Sequence, residues 1–312
     1  MEPFVIPLSN SSKIAGIHSL PPPSASDLKF RPLVVGLHGG TYDCHYFDPD
    51  NKHSASRLSH ALGVPFVSID RPCYGGSSTL LPIPEGSTFD EQTGRWLHQF
   101  ILPALWSTFG VPNDCNAIVI LGHSLGAMGT IISAALHAQD KKPLYPLAGI
   151  IVSGIGGRHL TLSNDQDSVA DAPPASPPED LVLTPEIKDS LMFRPGTVDP
   201  SVLELTERLN QPCPSAEVQS LAPWLLTWRE RWAAHVTVPV MYCLPELDCF
   251  FEATEDHLQE CAAAFSKSTR VDTSLVKGAP HCMELSYWSQ GWYARCFGFA
   301  IECAASFAAG SE

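Results

Sequence analysis

A serine in a glycine-flanked turn offers the clearest chemistry in this sequence. Gly122-His123-Ser124-Leu125-Gly126 matches the pattern G-x-S-x-G, follows the apolar run 117–121, and precedes a stretch of small, helix-compatible residues. This context predicts a strand, a sharp turn and a helix, a geometry that lifts a serine hydroxyl clear of a sheet so that it can act as a nucleophile. The alternative is a glycine-rich turn whose serine only caps the helix.

A serine nucleophile needs a base that takes its proton. His281 comes just past the predicted strand 271–276, on a short loop from which a side chain can reach a serine on a neighbouring strand. We therefore predict that His281 is the base; because the chain holds twelve histidines, an ordinary loop residue is the alternative. His123 receives no role as base, because the residue next to Ser124 in a sharp turn points away from it.

The base in turn needs an acidic partner that fixes its tautomer. Glu246 and Asp248 both follow the apolar segment 238–244, which predicts a buried strand that ends in an acidic loop. Both also stand between the serine and the histidine along the chain, the order found in hydrolases that carry their serine in a strand–turn–helix. From the residues alone, both remain candidates.

Acyl transfer also needs backbone N–H groups aimed at the oxygen that becomes negative. Leu125, the residue after the nucleophile, would supply one such group at the start of a helix. The second is expected from the glycine loop His38-Gly39-Gly40-Thr41, where glycines allow close approach and positive φ. Gly40 is the first choice and Thr41 the second, while His38 is expected to orient the loop by hydrogen bonding. An ordinary glycine turn is the alternative.

These segments, in this order, resemble the α/β-hydrolase superfamily. The resemblance rests on the glycine loop after the first core strand, the stretch 70–77 after the next strand, the serine turn, and the loops that carry Asp248 and His281. It covers the N-terminal half and the C-terminal quarter of the chain, and it implies that Asp248, not Glu246, is the acid. More loosely, the sequence is similar to hydrolases encoded beside fungal polyketide and related natural-product pathways.

The predicted secondary structure would bring these loops together. Near-continuous apolar runs, typical of buried parallel strands, alternate with helical patterns along most of the chain. The predicted core strands are 32–37, 64–69, 117–121, 147–153, 236–244 and 271–276. This alternation predicts an α/β fold, a mostly parallel twisted sheet with helices on both faces. Every proposed site segment follows the carboxyl end of a strand, where ligands bind in such sheets.

The segment 158–235, here called the insertion, interrupts this alternation and divides the predicted core into residues 1–157 and 236–312. It contains a Pro/Ala/Ser-rich stretch at 171–178, whose composition resists packing, and several short helical patterns. Proteins of the α/β-hydrolase superfamily usually carry a helical lid at this point, so the resemblance implies a lid or cap here.

Aromatic side chains near the predicted site indicate a roomy apolar acyl pocket. Tyr42, Tyr46 and Phe47 follow the glycine loop, and Trp224 and Trp228 share one face of a predicted helix in the insertion. We expect these five residues to line the pocket. For the tryptophans, packing between the insertion and the core is the alternative.

The composition limits the partners of the protein. The formal net charge is −14, only 19 residues are Lys or Arg, and no basic cluster appears, which argues against nucleic acid and anionic membranes as partners. No segment has the length of a membrane span or the pattern of a secretory signal. The ten cysteines are scattered, so reduced thiols in a cytoplasmic enzyme are expected, without a metal site. The oligomeric state stays open.

Together these features predict a serine hydrolase that uses neither a metal nor an organic cofactor. It would cleave a carboxylic ester, lactone or thioester through an acyl-enzyme on Ser124, with a bulky apolar or polyketide-like substrate, free or bound to a carrier. A transacylase, a cyclising thioesterase or a C–C bond hydrolase would use the same three residues. A non-catalytic receptor on the same fold is a further alternative.

Overall fold

A central β-sheet organises residues 1–160 and 179–310, the parts of the chain that the computed structural model describes. The Pro/Ala/Ser-rich stretch at 171–178 lies outside the described residues. The strands are β1 (Glu2–Pro7), β2 (Lys13–Ser19), β3 (Pro32–Leu37), β4 (Phe66–Ile69), β5 (Ala117–His123), β6 (Leu147–Ser153), β7 (Asp180–Leu181), β8 (Cys213–Pro214), β9 (Val240–Leu247) and β10 (Val271–Pro280). Strands β7 and β8 pair with each other, and the other eight form one sheet in the order β1-β2-β4-β3-β5-β6-β9-β10.

Helices connect most of these strands. They are α1 (Ser56–Leu62), α2 (Phe89–Trp96), α3 (Leu102–Leu105), α4 (Leu125–Gln139), α5 (Pro185–Met192), α6 (Pro200–Leu203), α7 (Thr206–Leu209), α8 (Ser215–Arg231), α9 (Glu255–Ala263) and α10 (Ser289–Ala309). Two wider π-helical turns, Leu97–Ile101 and Trp106–Gly110, flank α3, so the helical segment between β4 and β5 is a chain of short pieces.

The sheet is antiparallel at β1, β2 and β4 and parallel from β4 to β10. Buried apolar residues alternate between its two faces along each strand: Val34 and Val119 pack on one face, Val35 and Ile120 on the other. Because helices cover both faces, β3 and β5 are buried along their whole length. The predicted α/β fold with a mostly parallel sheet is therefore confirmed.

The parallel register sets the loops of interest side by side. Leu37 at the end of β3 pairs with Gly122 near the end of β5, and His123 pairs with Ser153 at the end of β6. The glycine loop after β3 and the serine turn after β5 therefore leave the same edge of the sheet. The segments that follow β6 and β9 leave from that edge as well.

The described part of the insertion contains α5 to α8 together with β7 and β8, and none of these elements joins the central sheet. Its role as a lid stays a prediction. In the residues that the structure describes, no helix is both long enough and apolar enough to cross a membrane. All ten cysteines lie in the described ranges, and each one is a free thiol.

Candidate active site

Ser124 stands in the tight turn between β5 and α4. Its backbone adopts φ 52° and ψ −127°, a conformation that is costly for a residue with a side chain. Its N–H donates to the Ser153 carbonyl oxygen at 2.8 Å, which ties the turn to β6. A Cβ at Gly126 would lie 2.4 Å from the His38 carbonyl oxygen, so only glycine allows the turn and the glycine loop to approach so closely.

Three side chains from separate loops form a continuous chain of hydrogen bonds. His281 Nε2 lies 3.0 Å from Ser124 Oγ, and His281 Nδ1 lies 2.7 Å from Asp248 Oδ2. In the pairing of β10 with β9, Pro280 lies opposite Leu247. The residues that follow them, His281 and Asp248, therefore lie close together. An aspartate that accepts from Nδ1–H leaves Nε2 free to take a proton from a hydroxyl.

Backbone groups in the loop after β9 hold the second carboxylate oxygen of Asp248. Asp248 Oδ1 accepts hydrogen bonds from the backbone N–H groups of Phe250 at 2.8 Å and Phe251 at 3.2 Å. Glu246, the other candidate acid, pairs instead with Lys277 Nζ at 2.7 Å, and hydrogen bonds lower its pKa. Of the two acids, only Asp248 hydrogen-bonds to the histidine.

The glycine loop lies directly against the serine turn. A Cβ at Gly39 would lie 3.0 Å from Ser124 Cβ, and a Cβ at Gly40 would lie 2.8 Å from Leu125 Cδ1. Among the described residues, the backbone N–H groups of Gly40 and Leu125 donate to no other group, so both can serve an oxygen in the cavity they line. A Cβ at either glycine would crowd these atoms, whereas the positive φ expected in this loop occurs at Thr41, at 64°.

A cavity of about 450 Å³ opens beside Ser124. Apolar side chains from the insertion and from the segments after β6 and β9 form most of its wall. They are Ile155, Leu181, Leu183, Leu191, Met192, Val218, Leu221, Ala222, Phe250 and Phe251. Among the described residues that line it, none is Asp, Glu, Lys or Arg. The cavity therefore favours an uncharged, apolar group.

Three of the aromatic residues expected in the pocket pack elsewhere. Tyr42, Tyr46 and Phe47 are buried, and none of them lines the cavity. The Tyr46 hydroxyl donates to Glu284 Oε2 at 2.7 Å, and the Phe47 ring packs on Phe66 with the ring centroids 5.6 Å apart. The pocket prediction is wrong for these three residues, because their rings pack into the core.

The two tryptophans of α8 also face away from the cavity. Trp224 and Trp228 stack with their ring centroids 5.9 Å apart, and Trp228 lies 6.1 Å from the ring of Phe265 in the core. Neither lines the cavity, so the pocket prediction is wrong here too, and packing of the insertion on the core accounts for both rings. The helix α8 still provides Val218, Leu221 and Ala222 to the cavity wall.

Buried polar groups hold the glycine loop from behind. The Gly39 carbonyl oxygen accepts from His38 Nδ1 at 2.7 Å and from Arg71 Nη2 at 3.1 Å, while the Arg71 backbone N–H donates to His38 Nε2 at 3.1 Å. Burial, together with the Arg71 cation, lowers the pKa of His38 to about 3, so its ring is neutral. The expected hydrogen bonds of His38 to this loop are present. The sequence patterns assign no role to Arg71, although its position two residues after the predicted strand 64–69 is a signal.

A second buried group lies behind His281. The His123 ring centroid is 4.9 Å from that of His281, and His123 Nδ1 lies 3.0 Å from Ser153 Oγ and 3.6 Å from Glu284 Oε2. Burial raises the pKa of Glu284, and burial with two neighbouring histidines lowers the pKa of His123. These contacts account for His123 without a role in proton transfer.

Within the described ranges, two groups of side chains bring potential metal ligands within 4.8 Å of one another. One is His123, His281 and Cys282, and the other is Asp43, Cys44 and His45. In the first group, His281 already bonds to Ser124 and Asp248, so a metal there would occupy the proposed base. In the second, Asp43 accepts from the His45 backbone N–H and caps a turn of 3₁₀ helix. In both groups, some of the potential ligands therefore already take part in hydrogen bonds within the protein.

Solved structures share this fold at low sequence identity. An esterase from Thermogutta terrifontis is 14% identical, with a TM-score of 0.57 over 97% of this chain and 100% of that one. A thioesterase domain from the curacin biosynthetic pathway is 13% identical, with a TM-score of 0.56 over 96% and 99%. The N-acyl homoserine lactonase AidH is 14% identical, with a TM-score of 0.58 over 97% and 98%. No curated protein sequence matches this chain significantly.

The sequence pattern of the alpha/beta hydrolase family matches residues 34–293, a span that runs from β3 into α10. It contains the glycine loop, the serine turn and the loops of Asp248 and His281, so the match covers most of the sheet and all of the proposed site. Family and fold together support a general hydrolase activity. On this evidence the chain belongs to the alpha/beta hydrolase family.

Proposed function

We propose that this protein is a serine hydrolase that cleaves uncharged esters, lactones or thioesters through an acyl-enzyme on Ser124. The observation that carries the proposal is the chain of hydrogen bonds from Ser124 Oγ through His281 to Asp248, at 3.0 and 2.7 Å, beside an apolar cavity. A serine in such a chain is activated at neutral pH, because the imidazole removes its proton as it attacks.

The first half of the reaction forms the acyl-enzyme. Ser124 Oγ bonds to the acyl carbon while His281 Nε2 takes the hydroxyl proton, and Asp248 stabilises the resulting imidazolium. The carbonyl oxygen becomes negative and accepts hydrogen bonds from the Gly40 and Leu125 N–H groups. The bond to the leaving group then breaks, and His281 returns the proton to the departing alcohol or thiol.

The second half releases the acid. A water molecule gives a proton to His281 and bonds to the acyl carbon, the same N–H groups stabilise the oxyanion, and Ser124 leaves with the proton from His281. The cycle consumes one water and needs no further reactant. Ser124, His281 and Asp248 return to their starting protonation states.

The cavity supports an apolar acyl group as the part of the substrate that the enzyme holds. Removing a charged group from water is costly when no opposite charge receives it, and the described lining offers none. Aliphatic side chains such as Leu183, Leu191 and Leu221 instead favour a hydrocarbon chain or ring. The esterase, thioesterase and lactonase that share the fold are in keeping with this class of substrate.

Ester hydrolysis by wild-type protein and by Ser124→Ala tests the proposal. We expect wild-type protein to hydrolyse p-nitrophenyl butyrate or octanoate and Ser124→Ala to lose on the order of 10³-fold or more in kcat. Ser107→Ala, which removes an exposed serine hydroxyl, is the matched control and should leave kcat unchanged. A Ser124→Ala protein that is as active as wild type would refute the acyl-enzyme. Product analysis in isotopically labelled water then separates hydrolysis from acyl transfer, since only hydrolysis places solvent oxygen in the acid.

A further inference from the structure

The insertion contacts the glycine loop through a buried ion pair. We propose that Glu217, in α8 of the insertion, is a positioning residue for the oxyanion hole. Through Arg71 it holds the peptide between Gly39 and Gly40 in the orientation that points the Gly40 N–H into the cavity. This inference rests on the proposed function, because it assigns a role in stabilising the oxyanion of that reaction.

The ion pair itself is fully buried and doubly hydrogen bonded. Arg71 Nη1 donates to Glu217 Oε1, and Arg71 Nη2 lies 3.3 Å from Glu217 Oε2. The guanidinium and the carboxylate therefore form a bidentate pair. The Tyr74 hydroxyl adds a third hydrogen bond to Glu217 Oε2 at 2.5 Å. Arg71 and Glu217 are 0% and 1% exposed, so this pair forms only when α8 is docked on the core.

Arg71 carries this contact into the glycine loop. The same Nη2 atom that faces Glu217 also donates to the Gly39 carbonyl oxygen at 3.1 Å. The bond between Gly39 and Gly40 is trans, and in a trans peptide the C=O and the following N–H point in opposite directions. Holding the Gly39 oxygen on Arg71 therefore turns the Gly40 N–H towards the cavity that Gly40 lines.

A second contact from the insertion holds the other end of the loop. The Gln211 backbone N–H donates to the Thr41 carbonyl oxygen at 2.9 Å, and a Cβ at Gly40 would lie 3.4 Å from Cys213 Sγ. Thr41 adopts φ 64°, which is strained for a β-branched residue and persists only when neighbouring contacts hold it. The insertion thus holds the peptide before Gly40, through Arg71, and the peptide between Thr41 and Tyr42, through Gln211.

The effect of losing Glu217 follows from electrostatics. Arg71 would remain buried without its carboxylate, and an unpaired buried charge is strongly destabilising. A guanidinium that shifts towards another acceptor would withdraw its hydrogen bond from the Gly39 oxygen. Only the hydrogen bond from the adjacent His38 ring would remain, and the peptide could then rotate. A rotated peptide presents a carbonyl oxygen, instead of an N–H, to the negative oxygen of the intermediate, and this raises the barrier to its formation.

The first experiment compares Glu217→Gln with wild-type protein on an ester and on its thionoester, in which sulfur replaces the carbonyl oxygen. We expect kcat on the ester to fall about 10- to 100-fold, with KM changed less than threefold, because loss of a single oxyanion donor costs about 10²- to 10³-fold. Sulfur accepts hydrogen bonds weakly, so the thionoester should lose less. The ratio of ester to thionoester kcat/KM should therefore fall, which general unfolding would not produce.

A double variant separates positioning from stability. In Arg71→Met/Glu217→Met no buried charge is left unpaired, and such replacements are often neutral or stabilising. We expect its urea midpoint to lie close to that of wild type while kcat stays about 10- to 100-fold low, since the Gly39 oxygen has lost its hydrogen bond from Arg71 and keeps only the one from His38. The control is Arg231→Met, which removes the ion pair of the same helix with Glu91 (2.5 Å) and should leave kcat unchanged.

The outcomes distinguish this inference from the proposed function. If wild type hydrolyses esters, Ser124→Ala does not, and the double variant keeps wild-type kcat and the wild-type ester-to-thionoester ratio, the positioning role is wrong and the hydrolase stands. If the double variant is stable and slow, with a reduced ratio, the positioning role is supported. If wild type hydrolyses none of the esters, the hydrolase fails and this inference fails with it.

Discussion

Asp248 Oδ2 lies 2.7 Å from His281 Nδ1, at the point where the loops after β9 and β10 meet. The two residues are 33 positions apart in the sequence, and the parallel register of the two strands brings them together. Glu246 stands only two residues before Asp248, yet its carboxylate pairs with Lys277. Only Asp248 is therefore placed to orient the histidine and stabilise its protonated form. Substituting each acid in turn tests this difference.

Asp248→Asn should lower kcat by roughly 10³- to 10⁴-fold, because an amide in this position no longer favours the tautomer that accepts a proton at Nε2. Glu246→Gln should change kcat less than about twofold, since its ion pair with Lys277 is largely exposed. Steady-state kinetics on one ester with both variants checks the prediction. The opposite order of effects would identify Glu246 as the acid.

Ala222 lines the cavity from α8, so a larger side chain there should shorten the acyl groups that fit. Ala222→Trp is expected to lower kcat/KM for p-nitrophenyl octanoate about 10- to 100-fold while changing that for the acetate far less. Leu226→Trp, on the same helix but at a side chain that is 83% exposed, is the control. Equal losses on short and long esters would show that the cavity does not hold the acyl chain.

Trp228 is assigned to packing between the insertion and the core. Its truncation in Trp228→Ala should lower the free energy of unfolding by about 3–5 kcal/mol, the range measured for large buried aromatic residues. Leu226→Ala, on the exposed face of the same helix, should change it by about 0.5 kcal/mol or less. Urea unfolding measures both. A small change in Trp228→Ala would mean that this ring contributes little to docking of the insertion.

His38 should make the free energy of unfolding depend on pH in the acidic range. Burial, together with the Arg71 cation, lowers the pKa of His38 from its ordinary value of 6.5 to about 3 in the folded protein. Between these values the unfolded chain binds a proton that the folded protein does not. His38 should therefore lower the free energy of unfolding by about 1.4 kcal/mol for each unit that the pH falls through this window.

Urea unfolding at a series of pH values, on wild type and on His38→Gln, measures this contribution. Glutamine does not titrate, so the variant should lose less stability per pH unit than wild type, whatever its stability at neutral pH. Parallel slopes in the two proteins would show that the His38 ring is already protonated or exposed in the folded state.

The architecture was accessible from the sequence because each core strand is a continuous apolar run. The runs at β5 and β6 predicted strands close to those observed, and the alternation with helices predicted the parallel sheet. Ser124, Asp248 and His281 each follow such a strand, so their presence at one edge of the sheet was expected from topology. Strand ends were less certain: β10 continues to Pro280, past the predicted end at residue 276.

The cavity lining was not accessible in the same way. Aromatic residues near a site fit a pocket or a core equally well, and the choice depends on partners that are distant in sequence. Tyr46 meets Glu284, which is 238 positions away, and Arg71 meets Glu217 across 146 positions. The first contact joins two segments of the core, and the second depends on how the insertion packs on the core; no local pattern encodes such packing.

The most direct test of the central claim is to trap the acyl-enzyme. Wild-type protein mixed with p-nitrophenyl octanoate, quenched in acid within one turnover and digested, should yield a peptide containing Ser124 that is heavier by one octanoyl group. The same peptide from Ser124→Ala should carry no added mass. An octanoyl group found on another residue such as Cys282, or turnover of the ester with no acyl group on any peptide, would contradict the account.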